Sequence, residues 1–104
     1  MQLIFGRENA EELRKKYVVL DLETVTKDGV SIDVFCVIPA ERLGIVDLVH
    51  VENWVTLHND FLKAWADRDQ KLCQDLSEEL MGKFGGEVDT FYEEILRRFS
   101  EEAN

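Results

Sequence analysis

Residues 17–39 read YVVLDLETVTKDGVSIDVFCVIP, and this stretch decides the fold. From Tyr17 to Thr26 the residues alternate. Val18, Leu20 and Leu22 point one way, and Val19, Asp21 and Glu23 the other, which is the period of a strand. Lys27-Asp28-Gly29 is turn chemistry, because glycine accepts the positive φ that a tight hairpin needs. Val30 to Ile38 alternates again, with Val30, Ile32, Val34, Cys36 and Ile38 on one face and Ser31, Asp33, Phe35 and Val37 on the other. Pro39 has no N–H for a ladder and ends the strand.

Working outward, Gln2 to Phe5 is a short apolar run closed by Gly6, a further strand. Asn9-Ala10-Glu11-Glu12 has the spacing of a capping box, and Leu13 and Tyr17 lie one helical turn apart. A short helix over about Ala10 to Lys16 is expected. Downstream, Ala40 to Val51 shows no clean period and reads as an irregular segment crossing from sheet to helices. From Glu52 the period becomes helical, with Trp54, Leu57, Phe61 and Trp65 at steps of three and four. Asp67-Arg68-Asp69 breaks the helix, and Asp69 is a good N-cap for the next. Leu72, Cys73, Leu76, Leu80 and Phe84 mark a second stripe ended by Gly85-Gly86. A last helix begins at Glu87 or Asp89, with Phe91, Ile95, Leu96 and Phe99 inward, and the tail from Glu101 to Asn104 frays.

The fold class is therefore α+β. A small antiparallel sheet, in the order β-α-β-β, is followed by a helical hairpin and a C-terminal helix. Residues 1–104 form a single domain: 1–39 mainly β with one short helix, 40–51 the crossing, and 52–101 helical.

Composition narrows the function. Twelve Lys and Arg face 22 Asp and Glu, a formal charge of −10 over 104 residues. Such a surface repels phosphate, which argues against nucleic acid and anionic membrane as partners. It would instead attract a basic protein. Cys36 and Cys73 are far apart in apolar surroundings and read as reduced thiols, which places the chain in the cytoplasm. The N-terminal apolar run is too short for a signal peptide, and no apolar stretch reaches membrane-spanning length.

The pattern with most chemical content is Asp21-Leu22-Glu23. It resembles the first motif of the proofreading-type 3′–5′ exonucleases, where a strand presents Asp-x-Glu to two divalent metals. That chemistry uses the spacing because alternate strand residues share a face. Leu57-His58-Asn59-Asp60-Phe61-Leu62 is similar to the family's second motif, but Asn59 and Asp60 are adjacent where the family separates them. The family's closing His/Tyr and Asp motif has no counterpart, and the chain is shorter than that fold. A half-exposed strand explains the same residues without metal. Asp21, Glu23 and Asp33 on one hairpin face would form a weak Ca²⁺ or Mg²⁺ site. His50 and His58 lack a converging third ligand. Met81-Gly82-Lys83-Phe84-Gly85-Gly86 reads as a tight interhelical turn. Nothing in the sequence asks for a cofactor.

The stretch Trp54 to Leu76 loosely resembles a tetratricopeptide-type hairpin, in a single copy with the wrong spacing into its second helix. Solenoids need several copies to bury a continuous core, so this is ordinary helix pairing. Leu80-Met81-Gly82-Lys83-Phe84-Gly85-Gly86-Glu87-Val88-Asp89-Thr90-Phe91-Tyr92 and the compact acidic layout resemble small uncharacterised bacterial proteins carried on mobile elements. That resemblance implies no activity.

The expected outer sheet face carries Val19, Phe35 and Val37 among its acids. A sheet apolar on both faces must cover the second with something, either the crossing segment or another subunit. The first expectation is thus a non-enzymatic interaction domain, self-associating as a homodimer through Val19, Phe35 and Val37. The second is a small acidic inhibitor, an immunity protein or antitoxin, of a basic partner. The third is a metal-dependent hydrolase acting through Asp21 and Glu23.

Overall fold

The computed structural model describes residues 1–102. Strand β1, Gln2–Phe5, is followed by helix α1, Arg7–Arg14, and then by the hairpin strands β2, Val18–Lys27, and β3, Val30–Ile38. A 3-10 turn at Ala40–Arg42 leads into helix α2, Ile45–Ala66. Helix α3 is Gln70–Leu80, a second 3-10 turn covers Phe84–Gly86, and helix α4 is Asp89–Glu102. The expected α+β class holds: a three-stranded antiparallel sheet precedes the helical half. Strand β3 lies in the centre, with β1 and β2 on its two sides.

The hairpin forms where its turn residues put it. Gly29 takes φ +79° and Asp28 φ +54°, the left-handed pair that matches the twist of two joined strands. On the inner face, Leu20, Leu22, Val34, Cys36 and Ile38 pack against Phe61, Leu80, Tyr92 and Ile95 of the three long helices. Asp69 caps α3 as its sequence position predicts, its carboxylate accepting from the Leu72 N–H at 3.1 Å.

Five expectations need correction. The segment 40–51 is not an irregular crossing, because α2 begins at Ile45. Its start is fixed by the Gly44 N–H donating to the Asp47 carboxylate at 2.9 Å, half of a capping box. Helix α1 begins at Arg7, not Ala10, and Asn9 lies inside it, its side-chain amide donating to the Phe5 carbonyl at 3.0 Å. Helix α3 ends at Leu80 and not at Gly85-Gly86; Gly82, at φ +82°, turns the chain directly after it. The tail is helical to Glu102, while the positions after it lie outside the described residues.

The fifth correction concerns the outer face. Val19, Phe35 and Val37 are almost completely buried, and what covers them is α1. Ala10, with no exposure at all, lies over them, flanked by Ile4 and Leu13. A small side chain there lets the helix backbone come close to the sheet. Arginines fasten both ends of α1. Arg7 pairs with Asp33 at 3.3 Å and Arg14 with Asp21 at 2.5 Å, and both guanidinium groups flank the Phe35 ring. The second face of the sheet is thus closed from within the chain, by neither the 40–51 segment nor another subunit.

Candidate functional site

The acidic residues of the hairpin are those on which a metal site would depend. Strand β2 carries a bulge: Asp21 faces Phe35, Glu23 faces Val34, and Leu22 is the extra residue between them. One extra residue inverts the alternation beyond it. Asp21 therefore stays on the outer face, where it meets Arg14 of α1. Glu23 turns to the inner face and takes Arg98 of α4 at 2.7 and 3.4 Å. Hydrogen bonding to Glu23 raises the Arg98 guanidinium above its ordinary value. Asp33, on the outer face, accepts from Thr24 at 2.7 Å and pairs with Arg7.

Each of the three carboxylates thus has its own arginine, and Asp21 and Glu23 lie on opposite sides of the sheet. Among the described residues no group of three or more His, Cys, Asp or Glu is arranged to hold a metal ion. A shallow cleft of about 180 Å³ touches all three acids and Arg7, but their charges are directed to their arginines. The exonuclease-like spacing finds no common metal-facing surface here.

The bulge has a buried partner instead. His58 of α2 is completely buried, its Nε2 donating to the Asp21 carbonyl at 2.6 Å. A carbonyl can only accept, so Nε2 carries the proton and Nδ1 of the neutral ring accepts from the Tyr92 hydroxyl at 2.8 Å. Phe84 and Phe91 stand against the imidazole. Burial lowers the His58 pKa below its ordinary 6.5, outweighing the opposite pull of the Asp21 carbonyl and charge. The ring is a neutral strut joining β2, α2 and α4, with no open side for a substrate.

The cysteines are equally closed. Both are free and buried, and burial pushes Cys36 up to about 12 and Cys73 up to about 11. Neither forms the thiolate that nucleophilic chemistry needs.

What stays open is apolar. At the start of α2, Ile45, Val46, Leu48 and Val49 are 84, 73, 56 and 74% exposed. These first turns extend past the body, and α2 joins the core only from Val51 and Trp54 onward. Beside them lies a groove of about 360 Å³ floored by Val18, Ile38, Leu43 and Leu48. Its rim is the run Arg14-Lys15-Lys16, three consecutive cations in an acidic chain. A second, looser apolar area lies where the sheet outruns the helices: Leu3, Phe5, Val25, Val30 and Ile32 are 43 to 58% exposed.

Sequence reasoning missed the α2 patch. Its signal is present, since Ile45, Val46, Leu48, Val49 and Val51 spread around a helix instead of along one stripe. Asp47 and His50 take the remaining side, so the apolar arc is wider than a single core-facing stripe and part of it is left uncovered.

No protein-family model, curated protein or solved structure matches the chain. Among the described residues no helix is long and apolar enough to cross a membrane.

Proposed function

We propose that this chain is a non-enzymatic protein-interaction domain that associates with itself in the cytoplasm. The observation that supports the reading is the cluster of four large aliphatic side chains, more than half exposed, at the start of α2. Scattered exposed hydrophobics are normal on any protein, but a contiguous group on one projecting element marks a contact surface. The surface first expected for this role, Val19, Phe35 and Val37, serves the fold instead, and the reading passes to the exposed start of α2, beside the groove floored by the neighbouring Val18 and Ile38. A hydrolase is not supported, because Asp21 and Glu23 are separated by the sheet and each is held by an arginine.

Sedimentation equilibrium tests the reading. A reversible dimer is expected over roughly 1–200 µM, the range for a small, partly polar interface. A single monomeric species throughout that range overturns it.

A further inference from the structure

We infer that the groove between the start of β2 and the start of α2 binds a medium-chain aliphatic carboxylate. The alkyl tail lies on the apolar floor, and the head meets Lys15 and Lys16. This site does not depend on self-association. Three observations carry it.

The first is the floor. Val18 and Ile38 are cross-strand partners at the end of the sheet away from the hairpin turn. Leu43 and Leu48 wall them on the α2 side, and the Tyr17 ring edges the other. The floor side chains are hydrocarbon, so the buried part of an occupant must be hydrocarbon too. A polar group seated there would lose its water and gain no partner. At about 360 Å³ the groove lies at the small end of ligand sites, which run from about 300 to 1,000 Å³. Tyr17 and Leu48, 43 and 56% exposed, are what the tail would cover.

The second is the rim. The chain has 22 acids against 12 bases, yet the residues lining this groove include Arg14, Lys15 and Lys16 and no carboxylate. Clefts beside Asp33, Glu94, Glu12 and Asp67 all have acids in their walls. Nearby acids are engaged elsewhere: Asp21 holds Arg14, and Asp47 accepts from the Gly44 N–H. Glu12 meets Lys15 only in an exposed pair, which is weak and readily exchanged. Lys16 is exposed and has no ion pair among the described residues.

The third is the count of charges. Arg14 is committed to Asp21, so two ammonium groups remain, enough for one carboxylate. A partner carrying many acids would meet the repulsion of a chain of net charge −10, while a single charge meets little of it. An acidic protein segment is therefore the poorer occupant, and a one-headed amphiphile the better.

Decanoate and decyltrimethylammonium, each below its micelle-forming concentration, are titrated into the full chain and followed by amide chemical shifts. Decanoate is expected to bind at least tenfold more tightly than its cationic counterpart, with the largest shifts at Val18, Ile38, Leu43 and Leu48. Octanoate should bind about 15-fold more weakly than decanoate, about fourfold for each buried methylene. Lys15→Gln/Lys16→Gln should weaken decanoate roughly fivefold or more without weakening decyltrimethylammonium. Val46→Ser/Val49→Ser, outside the groove, should leave decanoate within threefold. A thermal melt shows that each variant folds, and Lys16→Gln alone replaces the lysine pair should that pair unfold the chain. Equal binding of the two amphiphiles, loss of decanoate only in the Val46→Ser/Val49→Ser variant, or no shift at about 1 mM decanoate overturns the site. Sedimentation of the unliganded chain decides self-association separately.

Discussion

His58 shows how one buried polar side chain makes three elements depend on each other. Its two nitrogens satisfy a backbone carbonyl at the β2 bulge and a hydroxyl on α4, groups that would otherwise be desolvated without partners. The folded protein holds this ring neutral, with a pKa below 6.5, while the unfolded chain protonates it normally. Between the two values the unfolded state binds the extra proton, so stability falls as pH falls. The contribution is complete above about pH 6.5 and is lost progressively below it. Melting at pH 5.5 is expected to lie below melting at pH 7.5, and His58→Gln should flatten that difference while lowering both temperatures. An unchanged pH slope in the variant would assign the effect to the carboxylates.

Gly85 is decided by space as well as by φ. It takes φ +65°, and a Cβ there would lie 2.6 Å from the Arg42 carbonyl oxygen. Arg42 in turn donates to the Gly85 carbonyl at 3.2 Å and pairs with Glu87 at 2.8 Å, tying the two 3-10 turns together. Gly29 has a similar φ, +79°, but nothing within 4 Å. Gly29→Ala should therefore cost about 1 kcal/mol from the left-handed backbone alone. Gly85→Ala should cost about 2–4 kcal/mol, because it adds a clash with main chain. Denaturant midpoints of the two variants measure the difference directly.

At the scale of elements, the hairpin shows both what could be read and what could not. Strand β3 has the expected bounds, Val30–Ile38, and β2 differs from its expected range by one residue at each end, because alternation and turn chemistry are local signals. The bulge at Leu22 leaves no such signal. Leu20, Asp21, Leu22 and Glu23 alternate smoothly in sequence, yet the ladder slips between Asp21 and Glu23, and it is the partner strand that determines this. The same limit hid the role of α1. Ala10 is the residue that lets the helix sit on Phe35, and a lone alanine in a polar helix carries no mark of burial. The start of α2 was hidden for the opposite reason. Apolar residues without an amphipathic period do not look like a surface helix, and these turns have no cover within the chain.

At the scale of the molecule, the sheet divides two unequal apolar clusters. The larger joins the inner face to α2, α3 and α4; the smaller is Ala10, Val19, Phe35 and Val37 with Ile4 and Leu13. Glu23 and Asp21, sent to opposite sides by the bulge, each take an arginine from the helix on that side. The architecture was legible because hairpin, helical stripes and caps agree with one another. The candidate site was not, since it is defined by what the chain leaves uncovered, and exposure is a property of the assembled whole.

The slenderness of the outer cover has a consequence for motion. Helix α1 has eight residues, too few to persist in water by itself, and its ion pairs to the sheet are solvent-exposed and weak. It is therefore expected to detach as a unit at a free energy well below that of global unfolding. Native-state hydrogen exchange should show the amides of Ala10 to Arg14 exchanging together and faster than those of Leu20 or Cys36. Each such opening bares Phe35 and its neighbours for an instant. The protein thus keeps a sticky surface behind a small door, whose rate of opening sets how often aggregation or proteolysis can begin there.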